Sequence, residues 1–294
     1  MDLAVESALR VAIMDWVRER AEVNGGFLHR RELLTFAIGG RDLPLIDFSR
    51  GIRNPAGFSS TLSIVSAANG PYDDVESDDG LLHYAYRKGD PFTGDNRKLR
   101  AALETGLPLI LFRKEVANYY TPVMPVYVVE DYPEERAFII AMDEAFRFMG
   151  DLRDLPEPQR AYAQRLAKQR LHQPAFRTRV LLAYATRCTV CSLHHGALLD
   201  AAHIVPDTEP AGIPTTPNGL ALCKIHHAAY DQNMLVAGTD YKVAINREVL
   251  AEVDGPMLKH GLQEMHGRTI TLPARRTDRP DKDLLAWRWE RFTR

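Results

Sequence analysis

The three cysteines of this 294-residue chain all fall in two short knuckles, Cys188-x-x-Cys191 and Cys223-x-x-His226. Each knuckle lets one tight turn present two soft or borderline donors, and four such donors suit the tetrahedral coordination of Zn²⁺. The plainer reading is that the cysteines pack as small hydrophobic residues. Three cysteines cannot complete a disulfide framework, and their spacing suits thiolates in a reducing compartment. A structural zinc here would contribute on the order of 10 kcal/mol to the folding of a small domain. This segment therefore constrains the fold more than any other.

A second set of residues is interleaved with the first: Asp200-Ala-Ala-His203, then Asn218, then His227, directly after His226. His203 ends the apolar run 198–204, where its imidazole, with an ordinary pKa near 6.5, could take a proton from water. Asn218 stands in the turn Pro217-Asn218-Gly219, from which its carboxamide could orient the His203 ring. His227 begins a helix. The bland alternatives are that both histidines serve one zinc, or that His227 is a surface residue.

The blocks Ala-His-Ile-Val-Pro, Asn-Gly-Leu-Ala-Leu-Cys and His-His-Ala-Ala-Tyr-Asp resemble the HNH, or ββα-metal, nuclease family over residues 176–250. The resemblance implies His203 as general base, Asn218 as its orienting residue and His227 as ligand of one catalytic Mg²⁺ or Mn²⁺. Cys188, Cys191, Cys223 and His226 would hold the structural Zn²⁺. Many members place a second metal ligand immediately before the general base, where this chain has Ala202. Asp200 is the nearest carboxylate, although strand alternation sets it on the face opposite His203. Asp231, four residues after His227 on a helix, shares that helix face and is the rival.

The length allows two domains. We expect an α+β chain: an N-terminal domain over 1–150, a basic linker helix over 151–175 and a nuclease domain over 176–294. A net charge of −2 argues weakly against a polyanionic partner, but an acidic stretch (130–151) gives way to a basic one (160–187) just before the metal motifs. Local sign matters more than the sum. The expected localisation is cytoplasmic, since the first residues lack a secretory pattern and no apolar run would span a membrane. Periodicity predicts a helix over 4–21 with Val5, Ala8, Val11, Ala12 and Trp16 inward. It also predicts strands over 62–65, 109–112 and 125–129, a helix over 96–105 stopped by Gly106, and two helices separated at Pro174. A strand over 268–273 and a terminal helix with Trp287 and Trp289 close the chain.

Tyr72-Asp73-Asp74-Val75, Gly80-Leu81-Leu82-His83-Tyr84 and Asp95-Asn96-Arg97-Lys98-Leu99 resemble the SRA family, of the PUA superfamily, over residues 45–130. That likeness implies a curved β-barrel that binds DNA carrying modified cytosine with the base rotated out of the helix. Asp74 would read the base edge and Tyr84 would stack on it. Tyr72, offset by one place from the family's second aromatic, would cover the other face. A carboxylate matches the cytosine amino donor, and aromatic faces replace the lost stacking. The combined expectation is an endonuclease that cuts double-stranded DNA containing 5-methylcytosine or 5-hydroxymethylcytosine, acting as a homodimer. The alternatives are a nuclease directed by unmodified sequence, or a reader of modified DNA that does not cut.

Overall fold

The computed structural model describes residues 1–67, 75–76, 80–149 and 152–293. Tyr72 and Asp74 lie outside these residues. The chain forms two compact units, one of residues 1–21 and 27–175, the other of residues 22–26 and 176–294. Among the described residues, no helix is long and apolar enough to cross a membrane.

The first unit begins with helix α1 (Leu3–Asn24), strand β1 (Leu28–His29), helix α2 (Arg30–Leu34) and the small pair β2 (Ala37–Ile38) and β3 (Arg41–Asp42). It continues through β4 (Ile52–Arg53), β5 (Ser63–Ala67), β6 (Val75–Glu76), β7 (Leu82–Ala85) and helix α3 (Gly94–Thr105). The strands β8 (Leu109–Val116), β9 (Tyr119–Tyr132) and β10 (Ala137–Ala141) complete its sheet. The order β4-β5-β8-β9-β10-β7-β6, with β1 added against β9, runs antiparallel except where β5 meets β8. Register shifts in β9 against both neighbours mark bulges, which increase the local twist of a sheet. Of the curved β-barrel expected from sequence, the described residues form a curled sheet whose path ends at β4 and β6. The observed architecture is α+β with a curled, open sheet.

The inward face of α1 differs from the periodic expectation. Val5 and Val11 are exposed, while Glu6, Arg10, Ile13, Met14, Val17 and Ala21 are buried. Charged residues score as outward in any hydrophobic pattern, yet Glu6 and Arg10 are both fully buried and paired at 2.7 Å. Arg10 also donates to the carbonyls of Ser60, Thr61 and Pro108, and Glu6 accepts from the Ser59 amide. The pair thus ties α1 to the segments that lead into β5 and β8. Removing one partner of a buried pair strands the other charge, so Glu6→Ala should cost about 3–5 kcal/mol in chemical denaturation. A cost within experimental error of zero would show that the network contributes nothing.

Helix α3 follows the predicted span and ends at Gly106, whose left-handed φ of 67° suits a residue without a Cβ. Asn96 does not cap it. Its buried carboxamide accepts from the Arg87 amide and donates to the carbonyls of Arg87 and Asp90, clamping the loop ahead of the helix.

Helix α4 (Glu157–Ala167) leads through a π turn (Lys168–His172) into α5 (Gln173–Ala183). Pro174 therefore does not break the helix. The wider π turn relieves the clash between a proline ring and the preceding turn. The segment expected as a linker also packs inside the first unit: Ala163, Ala167 and Leu171 are core residues, and Arg170 donates to Met124 and Met142 carbonyls.

The second unit contains the antiparallel pair β11 (Leu199–His203) and β12 (Gly219–Cys223), followed at once by α6 (Lys224–Asp231). The hairpin β13 (Leu235–Ala237) and β14 (Val243–Ile245) comes next. Short helices α7 (Arg247–Ala251) and α8 (Pro256–Gly261) and the terminal α9 (Lys282–Phe292) complete the unit. The strand expected over 268–273 reduces to one bridge between Lys242 and Thr269.

Candidate active site and metal centres

The two knuckles converge. Ligand atoms of Cys188, Cys191, Cys223 and His226 all lie within 4.8 Å of one another. Individual separations are 3.1 Å from Cys223 Sγ to His226 Nδ1, 3.4 Å from Cys188 Sγ to the same nitrogen, and 4.0 Å between the sulfurs of Cys191 and Cys223. A tetrahedron with Zn–S of about 2.3 Å and Zn–N of about 2.0 Å has edges of about 3.5–3.8 Å, so the donor set fits zinc. His226 Nε2 donates to the Gly261 carbonyl at 2.8 Å, which leaves Nδ1 as the metal-facing nitrogen.

The same helix start carries the second set. Cys223 closes β12 and caps α6, so His226 and His227 sit in the first turn of the helix. Consecutive helical residues point about 100° apart, which is how neighbouring histidines can serve different sites. His227 Nδ1 lies 3.7 Å from Asp200 Oδ2, and its Nε2 lies 3.4 Å from Asp231 Oδ2. The two rival carboxylates therefore flank opposite edges of one ring. An ion bound through Nδ1 would share Asp200, and one bound through Nε2 would share Asp231.

The Asp200 side chain is held on several sides. Burial alone would raise its pKa, but His227, Lys224 and Arg177 hold the carboxyl well below the usual carboxylate range. Asp200 in turn lifts the His227 imidazole above its ordinary value, against the effect of burial, and Asp231 adds to the rise. Arg177 bonds Asp200 Oδ1 at 3.2 Å and also donates to the carbonyls of Gly25 and Leu199. Gly26, at φ 101°, could not carry a side chain without displacing that guanidinium. The Asn24-Gly25-Gly26 helix break thus supplies part of this frame.

His203 ends β11 opposite Gly219. Its ring stacks on Phe176 of α5, with centroids 4.0 Å apart and planes 15° from parallel. Phe176, Val180 and Tyr184 recur every four residues along one helical face, and all are buried. Tyr184 donates to the Gly219 carbonyl at 3.3 Å. A Cβ on Gly219 would collide with Val180 and come within 3.0 Å of Phe176. Gly219→Ala is accordingly expected to cost about 1–3 kcal/mol of stability by overpacking and to lower cleavage by displacing the ring that aligns His203. Wild-type melting and rate in that variant would refute the close-approach argument.

Asn218 is fully buried, and its carboxamide is committed to backbone. Its oxygen accepts from the Val205 amide at 2.9 Å, and its nitrogen donates to the carbonyls of Val205 and Ile213. The carboxamide, expected from sequence to orient the His203 ring, clamps the loop that follows His203. Phe176, Arg177, Lys224 and Gly219 were not singled out from sequence; the four-residue repeat from Phe176 to Tyr184 was the available signal for the first.

In the first unit, Tyr84 is only 5 % exposed and belongs to the core beneath the sheet. Its hydroxyl donates to the Gly51 carbonyl at 3.0 Å, with that of Val65 at 3.2 Å. The tyrosine expected from sequence to stack on a base is thus packed in the core. Its edge lines a cleft of about 100 Å³ shared with Arg50, Gly51, Ile52 and Arg87.

Residues 188–236 match the HNH endonuclease family. No curated protein sequence matches the chain. Among solved structures it is similar to one described as a modification-dependent TagI restriction endonuclease, at 19% identity and a TM-score of 0.32, covering 83% of this chain and 86% of that one. It is also similar to the type IV phosphorothioation-dependent restriction endonuclease ScoMcrA, at 15% identity and a TM-score of 0.25. That match covers 83% of this chain but spans only 53% of ScoMcrA, about half its length. The chain thus carries an HNH endonuclease domain, in the segment where the His203, Asn218 and His227 blocks resemble that family.

Proposed function

We propose that the protein is a DNA endonuclease that recognises modified cytosine, 5-methylcytosine or 5-hydroxymethylcytosine, by base flipping and cuts the phosphodiester backbone with its HNH domain. The observation that carries the nuclease half is the β11–β12–α6 unit, which sets His203 at a strand end and His227 in the following helix turn. His203, aligned by Phe176, takes the proton of the attacking water. His227, with Asp200 or Asp231, would hold one Mg²⁺ or Mn²⁺, which supplies stabilisation of the phosphorane-like charge and of the leaving oxygen. Asn218 keeps the loop after His203 in place. One such site handles one strand at a time, so double-strand cleavage calls for a homodimer or two bound monomers.

The modification half is supported by the SRA-like blocks around Asp74 and Tyr84 and by the cleft that Tyr84 borders. A second reading, a nuclease directed by unmodified sequence, is favoured by the burial of Tyr84, which leaves only an edge of that ring at the cleft. The decisive experiment is a digest, with Mg²⁺ or Mn²⁺, of matched unmodified, methylated and hydroxymethylated DNA. Preferential cutting of one modified substrate is expected. Equal cutting of all three would remove the modification claim and leave a nuclease directed by ordinary sequence.

A further inference from the structure

We infer that Lys224 is a resident cation of the Asp200–His227 pair, which the divalent ion must displace, and that it thereby sets the ion concentration the site requires. The inference rests on the reading that His227 and Asp200 hold the catalytic ion.

The two oxygens of Asp200 have different tasks. Oδ1 accepts from the Ala201 amide at 3.0 Å and from Arg177 Nε at 3.2 Å. Arg177 is itself anchored on the carbonyls of Gly25 and Leu199, so this oxygen is fixed by the frame. Oδ2 faces His227 Nδ1 at 3.7 Å and receives Lys224 Nζ at 2.9 Å. It is the oxygen available to an ion shared with His227, and an ammonium group already occupies it.

Lys224 is suited to leaving. Its side chain is 55 % exposed, whereas that of Arg177 is 23 % exposed. It is also the first residue of α6, immediately after the Cys223 cap. A cation is disfavoured at that end of a helix, where unpaired N–H groups carry partial positive charge. The carboxylate of Asp200 is what offsets this cost. Mg²⁺ binds its oxygen ligands at about 2.0–2.1 Å, and a divalent ion held that closely would repel an ammonium group on the same oxygen. Asp231 faces Nε2, at the other edge of the ring, and stays outside this exchange.

The test is a Mn²⁺ titration of the zinc-loaded full-length chain, following free Mn²⁺ by electron paramagnetic resonance. K224Q, K224R, D200N and the K224Q/D200N double variant are compared with the wild type. K224Q should bind Mn²⁺ about two- to fivefold more tightly, the range an exposed ion pair contributes, while K224R stays near the wild type. The gain should vanish in the D200N background. Unchanged or weaker binding by K224Q, with D200N still impaired, would overturn the displacement model and leave the Asp200–His227 site standing. No Mn²⁺ binding by the wild type, or binding indifferent to D200N, would remove that site and the inference with it.

Discussion

His203→Ala should lower DNA cleavage by about 10²–10⁴-fold, the usual contribution of a positioned general base, while leaving DNA affinity unchanged. The imidazole sits at the end of β11, on the rim of the hairpin, stacked against Phe176. Its loss removes the proton acceptor without touching the zinc knuckle or the first unit. His203→Gln separates chemistry from packing, because it restores bulk against Phe176 but cannot take a proton at neutral pH. Both variants should keep wild-type zinc content and melting. Cleavage within a fewfold of wild type by either one would exclude His203 as the base.

Removing zinc should have the larger structural effect. Four donors within 4.8 Å bind β12, the start of α6 and the Cys188 knuckle together. A structural zinc contributes on the order of 10 kcal/mol at neutral pH, comparable with the whole stability of an ordinary domain, about 5–15 kcal/mol. Cys223→Ser, or a strong zinc chelator, should therefore unfold the second unit. The curled sheet of the first unit, with its own core around Leu99, Leu111 and Phe138, should persist. Hydrogen exchange resolves the two: amides of β11 and β12 should lose protection while those of β8 and β9 keep it. Equal loss in both units, or no loss in either, would contradict a zinc-dependent second unit.

Loss of zinc should also silence cleavage before any catalytic residue is changed. His226 and His227 are neighbours in one helical turn, so the turn that completes the metal cluster also aims the imidazole placed between Asp200 and Asp231.

Much of this was legible in the residues because short-range chemistry imposes it. A Cys-x-x-Cys turn and a Cys-x-x-His helix start can hardly avoid presenting paired donors, and the order strand, turn, strand, helix around His203, Asn218 and His227 is written in local spacing. Gly106 stops α3 for an equally local reason. The misreadings share a different cause. The inner face of α1 holds a buried ion pair, and Glu6 looks like a solvent residue until Arg10 and the Ser59 amide are seen beside it. Pro174 looks like a terminator until a π turn makes room for its ring. Tyr84 looks like a stacking platform until the carbonyls of Gly51 and Val65 are found at its hydroxyl.

The sequence by itself determined that a Cys/His cluster and the last histidine of an HNH-like pattern share one helix start, since the identity and order of Cys223, His226 and His227 leave little freedom. Folding in three dimensions decided what surrounds them. It brought Arg177 and Lys224 to Asp200, committed Asn218 to backbone, and set Phe176 under His203 through a gap that Gly219 leaves open. The physical reason is range: ligand spacing along a turn is covalent geometry, whereas a carboxylate's partners and a ring's neighbours come from segments brought together by packing.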